Sequence, residues 1–323
     1  MTKLYPLLMQ PLLKRYLWGG RKLGEVLGKS IGDGNDYAES WEVADHPQGQ
    51  STVANGPLAG TSLGELVRTR GTDLMGIESP SGRFPLMFKF LDAQKDLSVQ
   101  VHPSDEQGAR LTPPDLGKTE AWLILSAEPG ALLYAGLKSG VDHESLQQHL
   151  QNGTVDQCLH TFSPNVGDCV FIPAGTVHAL GRGIMIAEIQ QASDTTFRLF
   201  DWNRVGADGK PRPLHIEESL AVTDFGRGPV DPVAPKSSGA GSERLVACDK
   251  FTFDRHTLIG PQLLETHGKF RIVSVLEGAV TIDDPFLGQP LVKGSTVVVP
   301  ASCSAVTIRP QPKATIIEMG LPG

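Results

Sequence analysis

Cysteine is scarce in this 323-residue chain: Cys158, Cys169, Cys248 and Cys303 are scattered, and no C-x-x-C pair occurs. That spacing excludes a disulfide framework and fits a reducing compartment. Long apolar runs are missing too. No stretch approaches the roughly 20 apolar residues of a spanning helix. Residues 1–8 carry one early Lys but neither the apolar core nor the small-residue cleavage site of a secretory leader. The expectation is a cytoplasmic protein without membrane contact. Positive charge is not in excess either, with 29 Lys and Arg against 36 Asp and Glu and a net charge of −7. A nucleic-acid partner needs a basic footprint, so this balance argues against one. It does not exclude a phosphorylated small molecule, for which a few cations in one cleft suffice.

Glycine (36) and proline (24) are plentiful, and they break the apolar residues into short runs. Residues 84–91, 97–101, 121–125, 170–172, 184–189 and 196–200 read as strands, each bounded by Gly, Pro, Asp or Ser. This density of strands points to a sandwich or barrel. Two helices interrupt it. Residues 62–70 open on the capping residue Ser62 and place Leu63, Leu66 and Val67 on one face. Residues 142–151 are capped by Asp142 and stopped by Asn152-Gly153. Residues 226–242 (GRGPVDPVAPKSSGAGS) have no apolar period and read as a linker. A repeat crosses it: GDCVFIPA at 167–174 matches GSTVVVPA at 294–301. Two copies of one β-unit predict two related barrels. The chain is therefore expected to be mainly β, with a few short helices. The expected division is a first domain over 1–225, the linker 226–242 and a second domain over 243–323.

Four residues of the first domain carry ligand chemistry. Gln100 and His102, two apart on a strand, share a face, while Val99 and Val101 point the other way. Glu120 stands just before the strand at 121–125, and His178 follows a Pro-x-Gly turn after the strand at 170–172. Two imidazoles and a carboxylate suit Zn²⁺. Gln100 can add an oxygen as fourth ligand, and a further position left to water or substrate would make such a site catalytic. The other histidines show no such grouping and read as structural or exposed. In the second copy, aligning Pro173 with Pro300 places Ala305 where His178 stands, and no Gln-x-His pair precedes it. No metal is expected there.

The order Gln-x-His, Glu, Pro-x-Gly-x-x-His resembles the two-motif layout of the cupin superfamily, whose domains are jelly-roll β-barrels. LSVQVHP (97–103), GKTEAW (117–122), FIPAGTVHAL (171–180) and QQASDTTFR (190–198) together resemble the type I mannose-6-phosphate isomerases, in the short bacterial form without a large helical insertion. WGG at 18–20, ESWE at 39–42 and His46-Pro47 add to the likeness, which covers roughly residues 1–225. The resemblance implies one Zn²⁺ held by Gln100, His102, Glu120 and His178. It implies Arg198 as an active-site residue, with Lys89 and Lys118 lining the pocket. It also implies interconversion of mannose 6-phosphate and fructose 6-phosphate by proton transfer through an enediol, within carbohydrate metabolism. The chain departs from the family at Ser104, where Asp often follows the His-Pro pair, but that position is not a ligand.

Read as residues, the candidate cations differ. Arg198 shares its predicted strand face with Thr196 and Phe200. Without the resemblance it would be a surface arginine paired with an acid. With it, Arg198 is a pocket cation holding phosphate or the developing enediolate. Lys118 shares a face with Glu120 if the segment is extended. A lysine beside a metal has a lowered pKa and can act as a base, while the alternative is a solvated loop residue. Lys89 sits between Phe88 and Phe90, and alternation alone puts it on the solvent face with both rings in the core. Ser98 shares the face of Gln100 and can donate to a phosphate oxygen. Neither the base nor the oligomeric state is legible. Two further readings stay open: a metal-dependent cupin isomerase on another sugar phosphate, and a non-catalytic sugar-phosphate-binding cupin.

Overall fold

The computed structural model describes residues 3–77, 82–205 and 209–323. Strands dominate, helices are short, and no helix among the described residues is long and apolar enough to cross a membrane. The fold is a pair of cupin-type jelly rolls. Their sheets are open paths of strands rather than closed hydrogen-bonded barrels. Two compact units emerge: Met1–Arg15, Arg21–Phe90 and Ala234–Gly323 in one, Tyr16–Gly20 and Leu91–Val233 in the other. One division falls at 233/234, inside the expected linker. The other differs from expectation, because most of residues 1–90 pack with the C-terminal segment rather than with the metal motifs. The reason is a long-range pairing: strand Leu7–Gln10 lies antiparallel to both Thr296–Val299 and Thr52–Val53. The 226–242 stretch is also less slack than its composition suggests. Its strand Lys236–Gly239 pairs with Ser242–Ala247, since backbone pairing needs no side-chain period.

In the first unit, a ten-stranded sheet surrounds an apolar interior that includes Val273, Val275, Val297, Val299, Ile308 and Ile316. Strand Ala305–Gly320 meets Gln262–Glu265 through residues 305–308 and Thr252–Leu258 through residues 314–320, so one long strand serves two layers. Helix Leu63–Met75 is capped by Ser62 as expected but runs past residue 70, where Arg70 breaks the helical backbone before Leu74 and Met75 are buried. It ends at Gly76, whose φ of 74° and close approach to the Gly268 carbonyl leave no room for a Cβ. Glu42 is fully buried here. It pairs with Lys29 at 2.6 Å and accepts from Ser40 Oγ at 2.6 Å and Thr296 Oγ1 at 2.9 Å. Removing the Thr296 hydroxyl leaves a buried carboxylate short of a donor. Thr296→Val should therefore cost about 1.5–3 kcal/mol, read by urea denaturation. An unchanged midpoint would mean that the hydroxyl contributes nothing to the network.

In the second unit, a five-stranded sheet runs Leu159–Phe162, Leu133–Leu137, His178–Leu180, Val99–Val101, Phe197–Phe200. Cys169–Ile172, Glu120–Ala127 and Ile184–Gln191 form a second layer. Trp122, Ile124, Val170 and Ile186 of that layer pack on Leu133, Ala135 and Leu180 of the first. Val99, Val101, Ala179 and Leu199 point outward, into a cluster with Leu146 of helix His143–Asn152 and Val222 of helix Ile216–Val222. Alternation then turns Ser98, Gln100 and Arg198 toward the other face.

The sequence repeat has a structural counterpart. Cys169–Ile172 lies against Glu120–Ala127 with Ile172 opposite Glu120, and Thr296–Val299 lies against Arg271–Ile282 with Val299 opposite Arg271. With the two prolines aligned, Arg271 occupies the register position of Glu120. It pairs with Glu318, Nε to Oε1 at 3.1 Å.

Candidate active site

The site is built from both layers of the second unit. Gln100 stands opposite His178 on one neighbouring strand and opposite Arg198 on the other. The three side chains therefore form a row on one face, about 5 Å apart at the backbone. His102 follows two residues after Gln100, and Glu120 reaches in from the first position of the opposing strand Glu120–Ala127.

His102, Glu120 and His178 are buried to within 1%. Glu120 Oε1 is 3.3 Å from His178 Nε2, and Oε2 is 3.6 Å from His102 Nε2. The Gln100 amide is 3.2 Å from His178 Nε2. Backbone carbonyls fix both rings: His178 Nδ1 donates to Thr176 O and His102 Nδ1 to Thr195 O, each at 2.9 Å. A carbonyl can only accept, so each Nδ1 carries the hydrogen and each Nε2 presents a lone pair. Burial pushes the His178 imidazole down to about 4, and the Lys118 charge adds to this, while the bond to Thr176 opposes it. The ring is thus neutral at pH 7, as a ligand must be.

One atom each from His102, Glu120 and His178 falls within 4.8 Å of the other two. Two neutral imidazoles and a carboxylate converging in a dry pocket are a donor set that fits a zinc-like ion. Lys118 lies against the same group. Its Nζ is 3.2 Å from Glu120 Oε2 and 3.3 Å from His102 Nε2. It is therefore buried beside this cluster rather than solvated. Its own N–H bonds Pro103 O at 3.0 Å, and that of Thr119 bonds Gln191 Oε1 at 3.1 Å, which holds the segment extended.

Comparison with known proteins points the same way. Residues 7–119 match the family "Phosphomannose isomerase type I, catalytic domain", and residues 242–318 match "Mannose-6-phosphate isomerase, cupin domain". A mannose-6-phosphate isomerase of Streptococcus mutans is 36% identical over 296 residues, covering 91% of this chain and 92% of that one. One from Bacillus subtilis is 35% identical over 303 residues, covering 91% and 93%. The chain belongs to the type I phosphomannose isomerase family. The crystal structure of mannose 6-phosphate isomerase from Bacillus subtilis superposes with a TM-score of 0.88 at 30% identity, covering 98% of this chain and 99% of that one.

In this phosphomannose isomerase fold, Arg198 is half-buried. Its Nε donates to Ser98 Oγ at 3.3 Å and its Nη1 to Pro213 O at 3.0 Å. Burial lowers its pKa, as does the nearby Arg212. His215 holds its backbone on both sides, accepting from Arg198 N–H at Nδ1 and donating its own N–H to Arg198 O. Phe200 does not share the face expected for it. A bulge between Arg198 and Phe200 turns that ring into the outward cluster with Phe197 and Leu199.

Lys89 belongs to the other compact unit and is 4% exposed, not on a solvent face. Its Nζ lies 3.8 Å from Glu39 Oε2 and 5.7 Å from the centre of the Trp41 ring. Strand Leu86–Ala93 is buried along its whole length, so alternation could not separate an inner from an outer face.

Sequence reasoning missed Asp201, Arg204 and Arg212. The Asp201 carboxylate accepts from Arg212 Nε at 2.7 Å and from the Arg204 guanidinium. Burial works against its ionised form, but the two arginines hold its carboxyl below the usual range. Two guanidiniums on one acid, close enough to Arg198 to shift it, leave a net positive field. The run of basic residues at 198, 204 and 212 was the available signal.

Proposed function

We propose that this chain interconverts mannose 6-phosphate and fructose 6-phosphate in the cytoplasm. One Zn²⁺ would be held by His102, Glu120 and His178, with Gln100 as fourth ligand. The observation that carries this reading is the row His178–Gln100–Arg198 facing Glu120: a buried ligand set and a half-buried guanidinium on one face. When bound, zinc supplies Lewis-acid polarisation of the sugar's oxygen atoms.

The chain's own residues account for the other needs. In the aldose-to-ketose direction a proton leaves C2 and one is returned to C1, while the hydroxyl proton passes from O2 to O1. Arg198, steadied by Ser98 and His215, holds the phosphate or the charge that develops on the enediolate. Arg204 and Arg212 add to the field that draws a dianionic phosphate. Lys118, in contact with Glu120, is placed to move a proton within the pocket. Lys89 enters through the family resemblance, and its own contacts are to Glu39 and Trp41. Burial of the ligands keeps bulk water from the intermediate.

A coupled assay for fructose 6-phosphate formed from mannose 6-phosphate tests this reading. Activity should vanish after chelation and return with added zinc. A folded, zinc-loaded protein without turnover would move the assignment to another sugar phosphate, and then to a binding protein.

A further inference from the structure

The His102 ring is set by the carbonyl of Thr195, so what sets Thr195 matters. Thr195 lies between strands Ile184–Gln191 and Phe197–Phe200, outside either ladder. Its carbonyl is therefore not positioned by sheet pairing. Its side chain is tied instead: Thr195 Oγ1 donates to Asp115 Oδ2 at 2.7 Å. Ser193 Oγ donates to the same oxygen at 2.9 Å and accepts from Thr195 N–H at 3.2 Å. The other carboxylate oxygen takes Leu116 N–H at 2.9 Å, and Asp115 N–H is bonded to Gly108 O at 3.1 Å. Asp115 thus joins the 190s loop to the segment that leads into Lys118 and Glu120.

We propose that Asp115 is a positioning residue for the metal ligand His102, acting through Thr195. The inference rests on the zinc reading above and extends it to a residue that touches neither metal nor sugar. The chemistry requires a carboxylate. Three donors converge on its two oxygens, and the amide of an Asn would set its N–H either against the Leu116 N–H or against the two hydroxyl groups that now donate to the carboxylate. A slackened Thr195 carbonyl frees the His102 ring to rotate, and its Nε2 lone pair then leaves the convergence point. Outer partners of this kind typically change metal affinity 10–100-fold when altered.

The test is zinc affinity, measured by competition with a chromophoric chelator on folded protein, with circular dichroism as the fold check. Asp115→Asn should weaken zinc by about 10–100-fold. Thr195→Val, which keeps the carbonyl but loses the hydroxyl, should weaken it in the same sense. Thr195→Ser should restore affinity close to wild type, a rescue that general loosening of the loop would not give. Should Asp115→Asn not fold, the Thr195 pair decides alone. Variants that bind zinc like wild type would overturn the proposal and leave the metal reading standing. A wild-type protein that binds no zinc would overturn both.

Discussion

His178→Ala should strip the protein of most of its zinc and lower turnover by about 10³-fold or more, the scale set by several kcal/mol of Lewis-acid stabilisation. The substitution removes the central member of the site. His178 is the ring facing Glu120 at 3.3 Å and Gln100 at 3.2 Å, and its Nδ1 is held by Thr176. His102, Glu120 and Gln100 remain, but with one imidazole gone and only a neutral amide beside it, the set holds an ion weakly. The fold should survive, because the neighbouring Val177 and Ala179 keep their outward packing. The cavity left by the ring should cost about 1–3 kcal/mol. Metal content by elemental analysis and the coupled assay give the answer together. Full activity in a metal-free variant would sink the site assignment.

Arg198→Ala should separate the metal from the sugar. Zinc is expected to stay bound, since Arg198 bonds Ser98, Pro213 and His215 and none of the three nitrogen and carboxylate ligands. Turnover should fall by about 10²–10³-fold, the range for loss of one preorganised charge-stabilising donor. The kinetic pattern tells what the guanidinium does. A raised KM with intact kcat marks a phosphate anchor. A lowered kcat marks a group that meets charge only in the transition state. Arg198→Lys should fall between, because it keeps the charge and loses the fork. Zinc loss from Arg198→Ala would instead make the residue part of the metal's supporting frame.

Much of this site was legible because period-two alternation is a local rule. Val99 and Val101 pack outward while Gln100 turns toward His178, as their spacing required. The same rule allowed Lys118 to meet Glu120 only if its segment were extended, with a solvated loop lysine as the alternative, and the backbone bonds to Pro103 and Gln191 decided between them. Where the rule failed, a non-local fact decided. Lys89 was misplaced because its strand is covered on both faces. Phe200 was misplaced because a bulge shifts the register after Arg198. Most of the first 90 residues pack in one compact unit with the C-terminal segment because the pairing of Leu7 with Val298 spans almost the whole chain, and it leaves no trace in either segment. Asp115 carries no signal at all in the sequence, since its role lies in which carbonyl its hydroxyl partner presents.

The register match between Glu120 and Arg271 has a consequence for how the two halves depend on their surroundings. One jelly roll converges lone pairs on a point that, on the zinc reading, takes an imported ion. The other has, at the same rung, a guanidinium bound to Glu318, a cation synthesised with the chain. That cation needs no transporter to supply it, and no competing chelator can withdraw it. On the zinc reading proposed above, a cell short of that metal would make a protein whose two halves fare unequally, with the arginine-bearing half complete from translation and the other waiting on trace-metal nutrition.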